Sequence, residues 1–388
     1  MFLTKLMLTF AEKYFTMTDQ VFVFGKPVED NAFTDREKES ARLAADFMGG
    51  INTFIISPRR WGKTSLVKKV IRETNSEIIL CIFADVFMAK TPEEFCEILG
   101  NAVLKQSTSA VNEFIDIAKR FLGRINLGVN LSPDPMNPIK VQFGLNDEQQ
   151  TVEDILDLPE RIAEKKDIRI VICIDEFQQI TEFAESLSFQ KLLRTVWQHQ
   201  KRVSYCLFGS KKHMMEGLFD NPSKPFYKFG DILYLKRIPL SYWEEYISGK
   251  FKAAGKVISE DQIEKICQVV DYHSSYVQQL CWYVYLFSDN VVTGQNLDAG
   301  IEELIDQNTA LFESRTENLT PVQMRFLKAV ARGIHSGFSS AEVISRYKLG
   351  SSAASVSTKK ALLEKGLVYC EDGQCLLADP VMGLWMNR

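Results

Sequence analysis

The chain has 388 residues, of which 46% are hydrophobic and 25% charged, with a formal net charge of −4. This balance excludes a disordered chain, and it excludes a protein drawn to nucleic acid by overall charge alone; the length predicts two or three domains. Eight cysteines are scattered, mostly inside apolar runs, which predicts buried thiols in a reducing, cytoplasmic setting, and Cys370 with Cys375 lacks the second pair or the nearby histidine of a zinc site.

Residues 1–20 read as a leader or extension. Met1 to Phe10 is apolar but interrupted by Lys5, and no run approaches the ~20 apolar residues that cross a bilayer, so no membrane partner is expected. Met17 opens a more ordinary soluble start. Val21 to Val28 and Phe33-Thr34-Asp35-Arg36-Glu37 follow, with a predicted helix from Lys38 to Met48 that Asp35 is placed to cap. The pattern fits a plain lead-in segment and a lid over a base equally well.

The first chemically informative stretch is Phe54-Ile55-Ile56-Ser57-Pro58-Arg59-Arg60-Trp61-Gly62-Lys63-Thr64-Ser65-Leu66. An apolar run enters a tight basic turn, and helical spacing resumes at Leu66, Val67, Val70 and Ile71. Strand, phosphate loop and helix in this order suit a nucleoside triphosphate. Backbone N–H groups of Ser57, Pro58-flanking Arg59, Arg60, Trp61, Gly62 and Ser65 surround phosphate in such a loop, Lys63 reaches the outer phosphates, and the Thr64 hydroxyl ligates Mg²⁺. Ser57 stands where the motif has its first glycine.

Glu77 to Asp85 is a continuous apolar run of the kind buried on both faces of a parallel sheet. A helix from Pro92 to Gln106, capped by Thr91, completes a βαβ rhythm. A helix from Ala110 to Leu122 leads into two alternating runs around the turn-rich segment Ser132 to Pro138, which predicts a β-hairpin insertion near 125–145, read as surface decoration ahead of a partner-binding element. A helix from Thr151 to Lys165 feeds Ile168-Arg169-Ile170-Val171-Ile172-Cys173-Ile174-Asp175-Glu176. Two adjacent carboxylates at the end of an apolar strand are what a Mg²⁺–triphosphate site needs opposite its loop, Asp175 for the metal and Glu176 for the attacking water. A lone Asp-Glu there is more often a helix cap; Lys63 upstream tips the reading to catalysis.

Beyond a helix from Phe189 to Gln200, the buried run Val203 to Gly209 ends at Ser210, a polar strand end suited to sense the γ-phosphate or the water. Lys211 and Lys212 face phosphate or solvent. Ile232 to Leu235 is a fifth strand, and Arg237 just past it is a candidate γ-phosphate or trans-acting arginine. From Tyr242 to about Glu313 helical periodicity takes over, and His273 there reads as a packed or capping residue. Thr320 and Pro321 then open a helix as N-cap and N1. Three helices and a strand–turn–strand over Gly366 to Leu377 describe a winged helix. Residues 317–388 hold nine Lys/Arg against six Asp/Glu. Ser352, Ser355, Lys359 and Lys360 on its third helix are candidate contacts to double-stranded DNA, against a winged helix used only for protein packing.

On Phe24-Gly25-Lys26-Pro27-Val28, Phe33-Thr34-Asp35-Arg36-Glu37, the loop from Pro58 to Ser65, Ile174-Asp175-Glu176-Phe177-Gln178, Gly209-Ser210, Asp379-Pro380 and Leu384-Trp385, the chain over 20–388 resembles the archaeal-type P-loop ATPases, grouped with the STAND and origin-recognition branches of the AAA+ class. The resemblance implies an α/β fold: a P-loop parallel-sheet core at 21–240, a helical lid at 241–315 and a C-terminal winged helix at 316–388. It implies ATP and Mg²⁺ as cofactors, Phe33 and Arg36 near the adenine, Lys63 and Thr64 at phosphate and metal, Asp175 at Mg²⁺, Glu176 at water and Ser210 as sensor. Ser57, Ser274-Ser275 and Lys228 depart from the family pattern, the last two where relatives often carry proline and arginine, which implies slow turnover. The expected function is a hydrolysing switch that couples ATP or ADP to a winged helix engaging DNA or a protein partner, a homo-oligomer included. The alternatives are a nucleotide-dependent DNA-binding or assembly protein with negligible hydrolysis, and a protein-interaction module.

Overall fold

Five apolar runs become the five strands of one parallel sheet. The computed structural model describes residues 21–28, 34–108, 126–131, 139–144, 148–371 and 373–388. The expected leader, Phe33, the helix expected from Ala110 to Leu122 and the turn-rich segment 132–138 lie outside the described residues. The chain divides into two units. One joins the described residues up to Thr34 with Pro239–Gln307, and the other comprises Asp35–Ile238 and Asn308–Arg388. The lead-in residues thus group with the helical unit, whereas the sequence placed them in the core.

In chain order the larger unit begins with α1 (Glu37–Gly49), β1 (Thr53–Ile56), α2 (Lys63–Thr74), β2 (Ile79–Asp85) and α3 (Pro92–Ser107). The hairpin β3 (Asn126–Leu131) and β4 (Ile139–Gly144) pairs antiparallel, Asn126 opposite Gly144. Then come α4 (Glu148–Lys166), β5 (Arg169–Asp175), a 3₁₀ turn (Phe177–Glu182), α5 (Ser186–Trp197), β6 (Val203–Gly209), α6 (Lys212–Phe219) and β7 (Asp231–Tyr234). The sheet order is β2-β5-β6-β1-β7, with every pair parallel. All carboxyl ends therefore open on one edge, where ligands of open α/β sheets bind. β6 lies between the loop strand β1 and the carboxylate strand β5. Its Gly209 is level with Ile56 and so brings Ser210 beside Ser57.

Burial explains the continuous runs. Every residue of β1 and β6, and all of β5 after Arg169, is buried. Behind the sheet edge an aromatic cluster fixes the segment after the two acids. Phe177 is fully buried, 5.4 Å from Phe226 and 6.1 Å from Phe219, whose ring stacks on Phe54 at 3.7 Å. A buried Phe of this kind is worth about 3–5 kcal/mol against alanine, so the backbone at Glu176–Gln178 is firmly held. Asp35 does not cap α1. Asp35 and Arg36 both take left-handed backbone (φ 58 and 77), and the helix starts on Arg36 without a side-chain cap. That turn sends the Arg36 side chain to a backbone carbonyl instead.

The helical unit holds α7 (Leu240–Ala253), α8 (Glu260–Val269), α9 (Ser274–Phe287) and the start of α10 (Gly294–Thr316). Phe22 is buried on it, 5.5 Å from Phe251. A Cβ at Gly300 would come within 2.9 Å of Val284, so glycine is needed for close packing of α10 on α9. The winged helix returns to the larger unit: α11 (Pro321–Ala331), α12 (Ala341–Tyr347), α13 (Ser352–Glu364), the wing strands β8 (Val368–Glu371) and β9 (Gln374–Leu377), and α14 (Pro380–Asn387). Thr320 and Gln323 form a reciprocal capping box with Pro321 at N1. Asp379 caps α14, and Trp385 lies 5.8 Å from Phe312. The eight-residue α6 and α14 were not foreseen as helices; each is too short to show its period. Among the described residues no helix is long and apolar enough to cross a membrane.

Candidate nucleotide site

β1 delivers the chain into the loop at Ser57. Within it Arg60 and Gly62 have positive φ (62 and 88), and Gly62 precedes α2 with no side-chain cap. A non-glycine residue held left-handed stores about 1–3 kcal/mol, which marks functional loops. The uncapped first turn of α2 presents backbone N–H groups suited to an anion. Lys63 is buried, and its Nζ donates to Ser57 O (3.0 Å), Ser57 Oγ (3.1 Å) and Pro58 O (2.7 Å). Burial draws the ammonium down to about 8, opposed by the charges of Asp175 and Glu176 and assisted by Arg59. The serine in place of glycine thus has a physical role: its hydroxyl accepts from the lysine.

Asp175 ends β5 and is buried. Its Oδ2 accepts from Thr64 Oγ1 at 2.7 Å and its Oδ1 from the Glu176 N–H at 2.8 Å. Burial pushes its carboxyl up to about 6, with Glu176 and Asp85 adding to the rise against those two hydrogen bonds. Asp85 ends β2 in register with Asp175, a third carboxylate at this edge that the sequence reading passed over. The run Ile79 to Asp85 also ends in an acid, and that was the available signal. The residues fit a divalent cation. A hydroxyl and a carboxylate are hard oxygen donors, and a carboxyl pushed towards neutrality is one that a cation restores to its charged form.

Glu176 takes left-handed backbone (φ 55). Its Oε2 accepts from Ser210 Oγ (2.8 Å), from the Ser210 N–H (3.4 Å) and from Gln178 Nε2. The strand-end serine and the second acid are therefore brought together, as are Lys63, Thr64 and Asp175. Ser65 is buried on α2. Arg59 and Arg60 are exposed at the rim of the loop. Arg36 is buried, and its guanidinium donates to Lys236 O (2.7 Å) and to Glu39 (3.0 Å). That carbonyl follows Leu235, whose N–H donates to Ile56 O, so Arg36 is tied in beside the start of the loop.

Trp61 is buried, and the Arg237 guanidinium lies 5.3 Å from its ring centre. The same guanidinium reaches Glu371 (3.3 Å) and Tyr369 Oη (3.2 Å) on β8. Lys212 Nζ is 3.8 Å from Glu371 and 5.8 Å from the Tyr369 ring. The wing of the winged helix thus sits on the arginine that covers the loop tryptophan. Sequence spacing could not show this contact, since 134 positions separate Arg237 from Glu371. Lys228 is exposed with its ammonium 5.5 Å from the Tyr227 ring, and His273 is buried against Tyr276 at 4.8 Å.

On α13, Ser352 and Lys360 are exposed and Lys359 is half-buried. Ser355, expected at DNA, is instead fully buried and its Oγ donates to Phe338 O at 2.7 Å, so it packs the domain and is not open to DNA.

Residues 33–280 match the family described as an ATPase domain predominantly from Archaea, and residues 310–388 match a probable winged helix domain. Among solved structures the fold is similar to the Walker-type ATPase PABY2304 of Pyrococcus abyssi, at 16% identity and a TM-score of 0.66 over 95% of this chain and 100% of that one. It is also similar to the Aeropyrum pernix ORC2 protein in ADPNP-ADP complexes, at 14% identity and a TM-score of 0.57 over 95% and 96%. These are likenesses of fold. No curated protein matches the sequence.

Proposed function

The chain belongs to the family of the ATPase domain predominantly from Archaea, and from that premise we propose that it binds ATP with Mg²⁺, hydrolyses it, and passes the nucleotide state to its C-terminal winged helix. The observation that carries this reading is the 2.7 Å hydrogen bond from Thr64 Oγ1 to Asp175 Oδ2 across 111 positions of sequence. It puts the hydroxyl of the loop helix and the strand-end acid at one point. Ser57 to Ser65 receive the phosphates, and Lys63 supplies the charge that replaces water around them. Thr64 and Asp175 hold Mg²⁺, which offsets phosphate charge when bound. Glu176 accepts the proton of the attacking water, and Ser210 holds Glu176. Arg36, with Phe33, serves the adenine side. Residues 21–34, which group with the helical unit, precede a core at 35–240; the lid is 241–315 and the winged helix 316–388. Mg²⁺-dependent phosphate release by the full chain, compared with Glu176→Gln, tests the reading; equal release from the two would overturn it.

The route from nucleotide to winged helix runs through Trp61, Arg237 and Glu371. Phosphate in the loop presses on Trp61, and Arg237 carries the displacement to the wing. Half-buried ion pairs of this kind are each worth about 0.2–1 kcal/mol. Glu371→Ala, which removes the acceptor shared by Arg237 and Lys212, should change ATP affinity by roughly two- to fivefold in calorimetric titration. The difference from wild type should shrink at high salt, where such pairs are screened. An unchanged affinity at low salt would show that the wing is not coupled to the loop.

We assign double-stranded DNA as the partner of the exposed α13 face, through Ser352, Lys359 and Lys360. Lysine contacts to phosphate release counterions, so Lys359→Ala with Lys360→Ala should lower the slope of log affinity against log salt by about 2. An unchanged slope would leave a protein partner as the better reading.

A further inference from the structure

We infer that Gln178 is a positioning residue that orients the Glu176 carboxylate for the attacking water, and that Gly209 exists to let it do so. The inference rests on the reading of Glu176 as general base. Gln178 is buried at 2% exposure, on the 3₁₀ turn directly after the strand-end acids. Its Nε2 donates to Glu176 Oε2, the same oxygen that takes both hydrogen bonds of Ser210. Every described hydrogen bond to the Glu176 side chain ends on Oε2. Three donors on one oxygen fix the plane of the carboxylate and leave Oε1 as the oxygen presented to water.

The other end of the amide is unusual. Gln178 Oε1 is buried with no hydrogen-bond partner, and a Cβ at Gly209 would lie 1.6 Å from it and 2.8 Å from Cδ. A buried acceptor left unpaired costs about 1–3 kcal/mol. A leucine or methionine of similar length would avoid that cost, but would supply no donor to Glu176. The retained amide and the missing side chain at 209 therefore answer the same need. Thr181 Oγ1 donates to Gln178 O at 2.8 Å, and Phe177 anchors the turn in the aromatic cluster, so the amide has little room to swing. The charged groups around this arrangement are Lys63 from α2, Asp175 from β5, and the Glu182–Lys211 pair where the 3₁₀ turn meets α6.

The test uses the full chain and steady-state ATP hydrolysis. Gln178→Met keeps length and removes the donor; it should lower kcat by about 10²-fold, the scale of a misplaced reacting group, with KM for ATP within about threefold. Gly209→Ala, which forces the amide off Glu176 from behind, should give the same split. In a Glu176→Gln background Gln178→Met should cause no further loss, because both changes remove one function. A residue that merely packs would raise KM and lower kcat together, or add its loss to that of Glu176→Gln; either result overturns the proposal. So does wild-type kcat in both Gln178→Met and Gly209→Ala while Glu176→Gln is inactive. If Glu176→Gln itself hydrolyses like wild type, the general-base reading has failed instead.

Discussion

Glu176→Gln should lower Mg²⁺-dependent phosphate release by about 10²–10⁴-fold, the usual contribution of a general base, and leave ATP binding within a few-fold of wild type. The substitution is close to isosteric. The amide oxygen of the new side chain can still accept from Ser210 Oγ and Gln178 Nε2, which now end on Glu176 Oε2. Its NH₂ group replaces the oxygen that would take the proton of water. Binding should survive because, of the groups proposed for phosphate and metal, Lys63 keeps its bonds to Ser57 and Pro58, and Thr64 its bond to Asp175. One electrostatic effect must be separated out. Glu176 helps to hold the Lys63 ammonium protonated against a burial that brings it to about 8. Losing that negative charge lowers it further, so binding should be compared at several pH values at and below 7, where any loss that comes only from lysine deprotonation shrinks. Single-turnover phosphate release with nucleotide titration separates the two quantities. Loss of binding in step with loss of hydrolysis would assign Glu176 a binding role instead.

The centre of the sheet was legible because β1, β5 and β6 are buried on both faces. Ile170 to Ile174 and Val203 to Phe208 need no period to be recognised, only length and apolarity. The site was legible where chemistry is concentrated in a few contiguous residues, at Gly62-Lys63-Thr64 and Asp175-Glu176. It was not legible where one residue's work depends on another's shape. Nothing local marks Gln178 as a donor to Glu176, since its place is set by the missing side chain of Gly209 across the strand. Nor does anything local join Arg237 to the wing. Ser355 misled for a different reason. Ser355, Thr358 and Leu362 follow helical spacing and form the buried side of α13, so hydroxyls that suit a DNA groove were in fact the inward stripe. A small residue on an apolar stripe reports close packing, and the spacing to Leu362 was the available signal.

Asp175→Asn should abolish most hydrolysis and at the same time stabilise the nucleotide-free chain. The amide oxygen can still accept from the Glu176 N–H, and its NH₂ can donate to Thr64 Oγ1, whose hydroxyl then accepts where it now donates, so both contacts of Asp175 survive with one reversed. What it loses is the charge proposed to hold Mg²⁺, a Lewis acid worth several kcal/mol to the transition state, so activity should fall by about 10²-fold or more. Stability moves the other way. The folded chain holds the Asp175 carboxyl at about 6 against an ordinary 3.8, chiefly through burial. Between those values the folded state binds this proton more tightly than the unfolded one. Stability from the group is therefore highest below about pH 4 and is lost as pH rises to 6, by about 3 kcal/mol in total. Above pH 6 the full cost of an ionised buried acid is present, and an asparagine does not carry it. Thermal unfolding without nucleotide should thus show Asp175→Asn above wild type at pH 7 to 8, with the gap closing as pH falls through 6 towards 4. Saturating Mg²⁺ and ATP should reverse the order at pH 7, because only the charged side chain gains from the cation. A variant less stable than wild type at pH 7 without nucleotide would mean that the carboxylate is already compensated, and that the strain at this strand end is not reserved for a metal.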